Sequence, residues 1–574
     1  MPTQNDPGPA PLRPVATPVI VGAAQSIDRP GDHDLLDAPG PIELMVAAAR
    51  AAADDAGAPT LLDRVGWIGV TGGFYRYRNP AAVVAEELGL SGVGTAITEI
   101  TGTAPQDMVG LACERIAAGE LDAALVLGGE ARWTNQQLKR QGLSPRWNES
   151  PGEGTPELIG GFAPEAISEM AQLGSATVFY ALFEDALRLS HGRTVDEQRD
   201  HCAELWARES RVAEANPYAW DRTRHEVAAI RDESEQNRMI CFPYPKAMVA
   251  NNTVNMASAV LICSTELARS AGVADDRRVF PHVVTSSHET WEVRRRAELT
   301  GCPALTAAGE AALEHSGLDV SDIDHVDLYA CFPSIVQMSS AALGLDEGRP
   351  LTVTGGLGFA GAAISNSVGH SIAAMVPLVR AGGAGLVHGN GGSATKHSFA
   401  VYSPEPPRAF ARIDCQDRVD LHEREPLDEG FDGPVTVDAA SVRFDREGPT
   451  DVLAAVPDHP AALALQGIVA AMAGDPEKGV ELLRKAIGLA PFVGLGVAQG
   501  GGVGAERLQP GAVGRARLVI DQQGRADLED DATGVPVCLG RLAHGVQPPG
   551  VSSTWSSSSS ISSSRSPRRM RTCL

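Results

Sequence analysis

No two of the nine cysteines form a Cys-x-x-Cys pair, and no regular spacing joins positions 113, 202, 241, 263, 302, 331, 415, 538 and 573. That scatter argues against a metal site and a disulfide framework, and it fits reduced thiols in a cytoplasmic chain. Positive charge is also short, with 48 Lys and Arg against 72 Asp and Glu, a net charge of -24 and a pI near 5.0. Such a field repels phosphate backbones and anionic membranes, so nucleic-acid binding is not expected, although one local basic pocket for an anionic ligand stays open. Long apolar runs are missing too. None approaches the ~18 residues of a spanning helix, and the first 25 residues lack a basic stretch followed by an apolar core, so neither a membrane span nor a signal peptide is expected.

What is present is ordinary globular composition, 43% hydrophobic and 21% charged over 574 residues, long enough for two or three structural units. Residues 1–17 are rich in Pro and polar groups and read as a flexible lead. "PVIVGAAQ" (18–25) then reads as a buried strand and "PIELMVAAARAAADDAG" as an Ala-rich helix, while "RVGWIGVTGG" is a second strand. "AITEIT", "QDMVGLACERIAAG" and "DAALVLGGEA" continue as strand, helix and strand, and the nearly all-apolar strands predict a parallel sheet covered on both faces. From 132 to 246 the texture changes to long charged helical patterns, read as a helical insertion. The alternating style returns with "NTVNMASAVLICSTELARSAG". "GELDAALVLGGEA" finds an echo in "GGAGLVHGNGGSA", which predicts a duplicated α/β core from 18 to 403.

Beyond 403, "GPVTVDAASVRFDREGP" alternates like an exposed β-hairpin, and "VGRARLVIDQQGRADLE" reads as another. A helical hairpin at 460–491 between them resembles one tetratricopeptide repeat, too few to bury its own apolar face. Residues 551–574 are Ser-rich and read as disordered.

Six segments in order, "PVIVGAAQ", "ACERIAAGELDAALVLGGEA", "NNTVNMASAVLICSTELARSAG", "DIDHVDLYACFPS", "SVGHSIAAMV" and "GLVHGNGGSATKHS", resemble the thiolase superfamily, above all sterol-carrier-protein-type thiolases and thiolase-like relatives with an added C-terminal domain. The resemblance implies two βαβαβ halves in a layered α/β/α/β/α core. Its halves would be 18–131 with 247–270, and 271–403, separated by the insertion and followed by a small, mainly β domain at 404–550. It also implies acyl-coenzyme A as substrate or ligand, acetyl-CoA acetyltransferase-type chemistry in lipid or sterol side-chain metabolism, and a homodimer or a hetero-partner protein.

A thiolase carries its nucleophilic cysteine at a helix N-terminus, where the dipole favours the thiolate. Counting back from "ERIAAGE", that position is Gly102, and Thr103 beside it offers only a hydroxyl. Cys113 falls well inside the helix and reads as a packed core thiol. The family's His-Asp-Cys-Phe segment is Tyr329-Ala330-Cys331-Phe332 here, and Cys331 is either core or cavity. Gly-His-Pro is Gly369-His370-Ser371, and Cys-x-Gly is His388-Gly389-Asn390. Any catalysis would therefore fall to His370, His388 and Asn390, with Tyr329, Cys331 and Thr103 as weaker candidates. Acyl transfer through a cysteine at the usual position is not available. For coenzyme A phosphates the candidates are Arg76, Arg78, Lys139, Arg140 and Arg146, each equally readable as a solvated surface charge. The alternative to an enzyme is a non-catalytic acyl-CoA carrier or partner subunit.

Overall fold

A computed structural model describes residues 16–147, 150–173, 175–422 and 439–450, together with the backbone of several further strands. The lead up to residue 15, the helical hairpin at 460–491 and the tail at 551–574 lie outside the described residues.

The chain opens with β1 (Pro18–Ile27), α1 (Pro41–Asp55), β2 (Trp67–Val70), α2 (Pro80–Glu87), β3 (Gly94–Thr98), α3 (Ala104–Ala117) and β4 (Ala123–Ala131). Starts are set locally. Pro80 occupies the first turn of α2, and the Asn79 side chain accepts from the Ala82 N–H at 3.2 Å. The next stretch holds α4 (Arg132–Arg140), β5 (Glu157–Ile159), α5 (Pro164–Leu173), α6 (Ala176–Ser190), α7 (Val195–Ala215), α8 (Val227–Arg231), β6 (Met239–Cys241) and β7 (Tyr244–Pro245). A Thr194–Glu197 capping box opens α7. This stretch is mainly helical, but β5 extends the first sheet and β6–β7 joins another.

Then come β8 (Asn255–Ser264), α9 (Thr265–Ser270), β9 (Phe280–His288), α10 (Pro303–Ser316), β10 (Ile323–Asp327), α11 (Pro333–Leu343), α12 (Ser367–Ala381), β11 (Ala384–Gly391), β12 (Lys396–Ser403) and β13 (Ala411–Asp414). The first sheet has the order β1-β8-β4-β2-β3-β5 and the second β10-β11-β12-β9-β13. Duplication is visible strand by strand. β1 is antiparallel to β8, β8 to β4, and β4 is parallel to β2; likewise β9 is antiparallel to β12, β12 to β11, and β11 is parallel to β10. The expectation of a parallel sheet thus needs correction. Apolar runs such as β4 and β8, buried at every residue, signal burial on both faces, and an antiparallel strand buried in mid-sheet carries the same pattern.

α3 and α12 pack between the two sheets, against β4, β8 and β9 and against β8 and β11 respectively; α1 covers the outer face of the first sheet and α10 that of the second. The layering is α/β/α/β/α. Among the described residues no helix is long and apolar enough to cross a membrane.

Among the described residues of the C-terminal part are a short helix (Gln416–Val419), the strands β14 (Pro434–Val437), β15 (Ala439–Phe444) and β16 (Pro449–Ala455), and further ladders such as Arg517–Ile520 with Ala526–Glu529. The expected hairpin inside 433–449 is displaced. β15 pairs with β16, whereas β14 pairs with Leu495–Ala498. Nor is it exposed: Ala439 to Val442 are buried, the Ala440 N–H donates to Asp185 Oδ2 on α6 at 2.9 Å, and Phe242 N donates to the Val442 carbonyl at 2.8 Å. Packing against α6 replaces the solvent face that the alternation implied.

Candidate functional site

The first turn of α3, the loop before α11, the start of α12 and the end of β11 supply every thiolase-type position. Gly102, the position that the resemblance assigns to the nucleophile, lies just before α3. A Cβ built there would sit 2.5 Å from the Tyr329 hydroxyl and closer still to the Asn390 carbonyl oxygen. Real Cβ atoms do not tolerate such distances, and the carbonyl belongs to backbone that cannot swing aside. Position 102 thus has no room for a side chain, with Tyr329 and the Asn390 carbonyl filling it.

Thr103 is buried and donates to Asp107 Oδ2 at 2.9 Å, one helical turn on. Burial raises the Asp107 carboxyl above its ordinary range. This hydroxyl–carboxylate pair was readable in Thr103-x-x-x-Asp107, yet Thr103 is only 1% exposed.

Side chains alternate along β11, so His388 and Asn390 share the face that packs on the outer helices, away from α3. His388 stacks on Phe399 with centroids 4.4 Å apart, its Nδ1 lies 3.3 Å from Ser339 Oγ, and its Nε2 lies 3.2 Å from His397 Nδ1. Cys302 Sγ completes this row 3.2 Å from His397 Nε2. Burial keeps all of it uncharged, with His388 well below the ordinary imidazole range, His397 down to about 4 and the Cys302 thiol up to about 12. Asn390 donates to the Tyr180 hydroxyl at 2.8 Å, with Cys331 Sγ 3.7 Å from the same nitrogen. Cys331 is buried, and its thiol is pushed up to about 12, so it offers no thiolate.

His370 sits elsewhere, on α12. Its Nδ1 is 2.8 Å from Gln25 Oε1 on β1, which places the proton on Nδ1 and leaves Nε2 a bare, buried acceptor with no protein partner. Burial lowers this imidazole to about 3, so it is neutral at any physiological pH. The crevice beside it, lined by Ser367, Ser371, Gln25 and Asn216, has about 10 Å³ of space, room for one water. His370 therefore shares no partner with His388 or Asn390, and the three expected catalytic residues do not converge. Sequence reading missed Gln25 and Tyr180, which act from elements 345 and 210 residues away, and His397, which the register of the adjacent strand β12 brings beside His388.

Among the candidate phosphate ligands, Arg76 and Lys139 line one groove of about 490 Å³, with Arg132, Phe74, Tyr75, Glu130 and Trp147. Arg78, Arg140 and Arg146 do not line it. Arg146 lies 3.9 Å from Asp37 and Arg140 bonds Gln137, both on exposed surface. No group of His, Cys, Asp and Glu side chains suited to a metal occurs among the described residues.

No protein-family model matches the chain. Over 193 residues, a third of this chain, it is 24% identical to sterol carrier protein 2 of Rattus norvegicus, and the match spans only about a third of that protein, 34%. The crystal structure of a monomeric SCP2-thiolase like protein type 1 from Mycobacterium smegmatis matches 90% of this chain and 99% of its own, at 28% identity and a TM-score of 0.68. An Ltp2-ChsH2(DUF35) aldolase shares the fold at 18% identity and a TM-score of 0.51, covering 67% of this chain and 97% of its own. With the duplicated five-layer core and these likenesses together, the chain belongs to the thiolase-like superfamily.

Proposed function

We propose that this chain binds acyl-coenzyme A thioesters on a thiolase scaffold, in the cytoplasm, without forming an acyl-cysteine intermediate. One observation carries the negative half: the Cβ position at Gly102 is filled by the Tyr329 hydroxyl and the Asn390 carbonyl. Cysteines 113, 302 and 331 are buried thiols with raised pKa, so none of them replaces the missing nucleophile. Likeness to the SCP2-thiolase like protein supports the ligand class.

A second reading is favoured by His370. Its bare Nε2 beside a one-water crevice, with two serine hydroxyls at hand, is an acceptor that would orient a water molecule for hydrolytic release of the acyl group, as a positioning group and not as a strong base, since burial lowers the imidazole to about 3. The oligomeric state, as a homodimer or with a hetero-partner, belongs to the same proposal, in which the scaffold serves assembly.

Calorimetric titration with coenzyme A and with a short acyl-coenzyme A, followed by thioester loss in the same sample, separates these readings. Binding without turnover is the expected result. Turnover abolished by His370→Gln would transfer the function to the hydrolytic reading. Absence of any heat of binding would remove the ligand class.

A further inference from the structure

Leu205, Arg208, Glu209 and Val212 recur along α7 at steps of three, one and three residues, which puts them on one face of the helix, with Arg211 beside them. The connection between α11 and α12 runs opposite that face at Gly348 to Thr352. Helix and loop enclose a groove of about 270 Å³.

Three arginines line it, Arg208, Arg211 and Arg349, in a chain of net charge -24. None of the three forms an ion pair among the described residues. Arg349 is held in place by its Nη2, which donates to the carbonyls of Ile323 and Asp324 at 2.8 and 3.0 Å. Glu347, on the same loop, is taken up by His201 at 3.1 Å. The acid that does line the groove, Glu209, is 2% exposed, and its Oε2 has no hydrogen-bond partner. Arg208 Nε is buried and unpartnered as well. Burial, and then the Asp327 charge, raise the Glu209 carboxyl to about 8, so near neutral pH it keeps a proton to donate. Guanidinium forks and a carboxyl O–H, against a wall of Leu205, Val212, Pro350 and Leu351, suit an oxyanion on a short apolar body.

We infer that this groove binds a small oxyanion, a short carboxylate or a phosphate, at a site of its own, independent of the thioester reading. Its floor is shared with the His370 crevice. Thr352, in the groove, and Thr354, in the crevice, both donate to Asp327 Oδ2, at 2.9 and 3.1 Å. The Val353 N–H donates to the same oxygen at 2.8 Å. An anion bound here therefore rests on the segment that walls the crevice.

The test is calorimetry of the full chain with succinate and, separately, with inorganic phosphate, at constant ionic strength. Wild type is compared with Arg211→Glu and with Arg140→Glu, a control outside the groove. Arg211 and Arg140 are both exposed, so neither charge reversal threatens folding. Wild type should bind at least one of the two anions saturably. Arg211→Glu should weaken that binding by about tenfold or more, and Arg140→Glu should leave it within about twofold. Saturation by succinate alone assigns the site to carboxylates, and by phosphate alone to phosphates. No saturable heat with either anion, or the same loss in both variants, would overturn the site.

Discussion

At the scale of single residues, Gly102 has neither a side chain nor space for one. The glycine itself was legible in the sequence, but the filling of the space around it was not. That Tyr329 fills that space depends on two loops more than 200 residues apart meeting at the head of α3. His370 shows the same limit: its motif could be read, whereas Gln25, 345 residues away, fixes its tautomer. Its burial also makes a prediction with a definite sign. The unfolded chain protonates this imidazole below its ordinary 6.5, while the folded chain resists until about 3. Stability present above 6.5 is therefore lost on acidification through that window, by about 1.4 kcal/mol per pH unit from this group alone. His370→Gln, which keeps a partner for Gln25, should gain about 2 kcal/mol on wild type between pH 6.5 and 5 in urea unfolding. An unchanged difference at the two pH values would contradict the buried, neutral state.

Elements were read most reliably where apolar runs are long. β1, β4, β8, α1 and α3 fall where period and capping residues put them. Strand direction was not legible, because β8 runs antiparallel to both β1 and β4 and shows the same fully buried apolar run as β4, which is parallel to β2. Nor was the seat of β15. Polar alternation from 433 to 449 suggested a solvent face, and only the structure shows α6 covering it. Asp185 is the hinge pin of that contact, accepting from Ala440 N at 2.9 Å and from Arg188 Nε at 2.8 Å, with both side chains under a tenth exposed. Asp185→Ala leaves a buried amide without an acceptor and the buried Arg188 guanidinium without its carboxylate, held only by the Arg193 carbonyl at 3.1 Å, at a cost of about 3 kcal/mol. Amide exchange should accelerate across Ala440–Val442 while β11 amides stay protected. Equal protection in variant and wild type would show that the hairpin is held by other contacts.

On the scale of the whole molecule, two βαβαβ halves persist intact around a centre that has been filled in. The sheets, the paired helices α3 and α12 between them and the outer layers all obey the duplicated pattern, which the echo between "GELDAALVLGGEA" and "GGAGLVHGNGGSA" disclosed. What the pattern could not disclose is that His388 and Asn390 turn outward. A period-two strand assigns alternate residues to opposite faces without saying which face meets α3. The site's closure belongs to this scale because it takes α3, the Tyr329 loop and β11 together. Intact-protein mass spectrometry after incubation with acetyl-coenzyme A tests it most directly, on wild type and on Gly102→Cys. A closed site predicts no acetyl adduct on either protein, since Tyr329 and the Asn390 carbonyl leave a thiol at position 102 no room to reach a thioester. An acetyl group mapped to position 102 in the variant, or to any cysteine of the wild type, would contradict it.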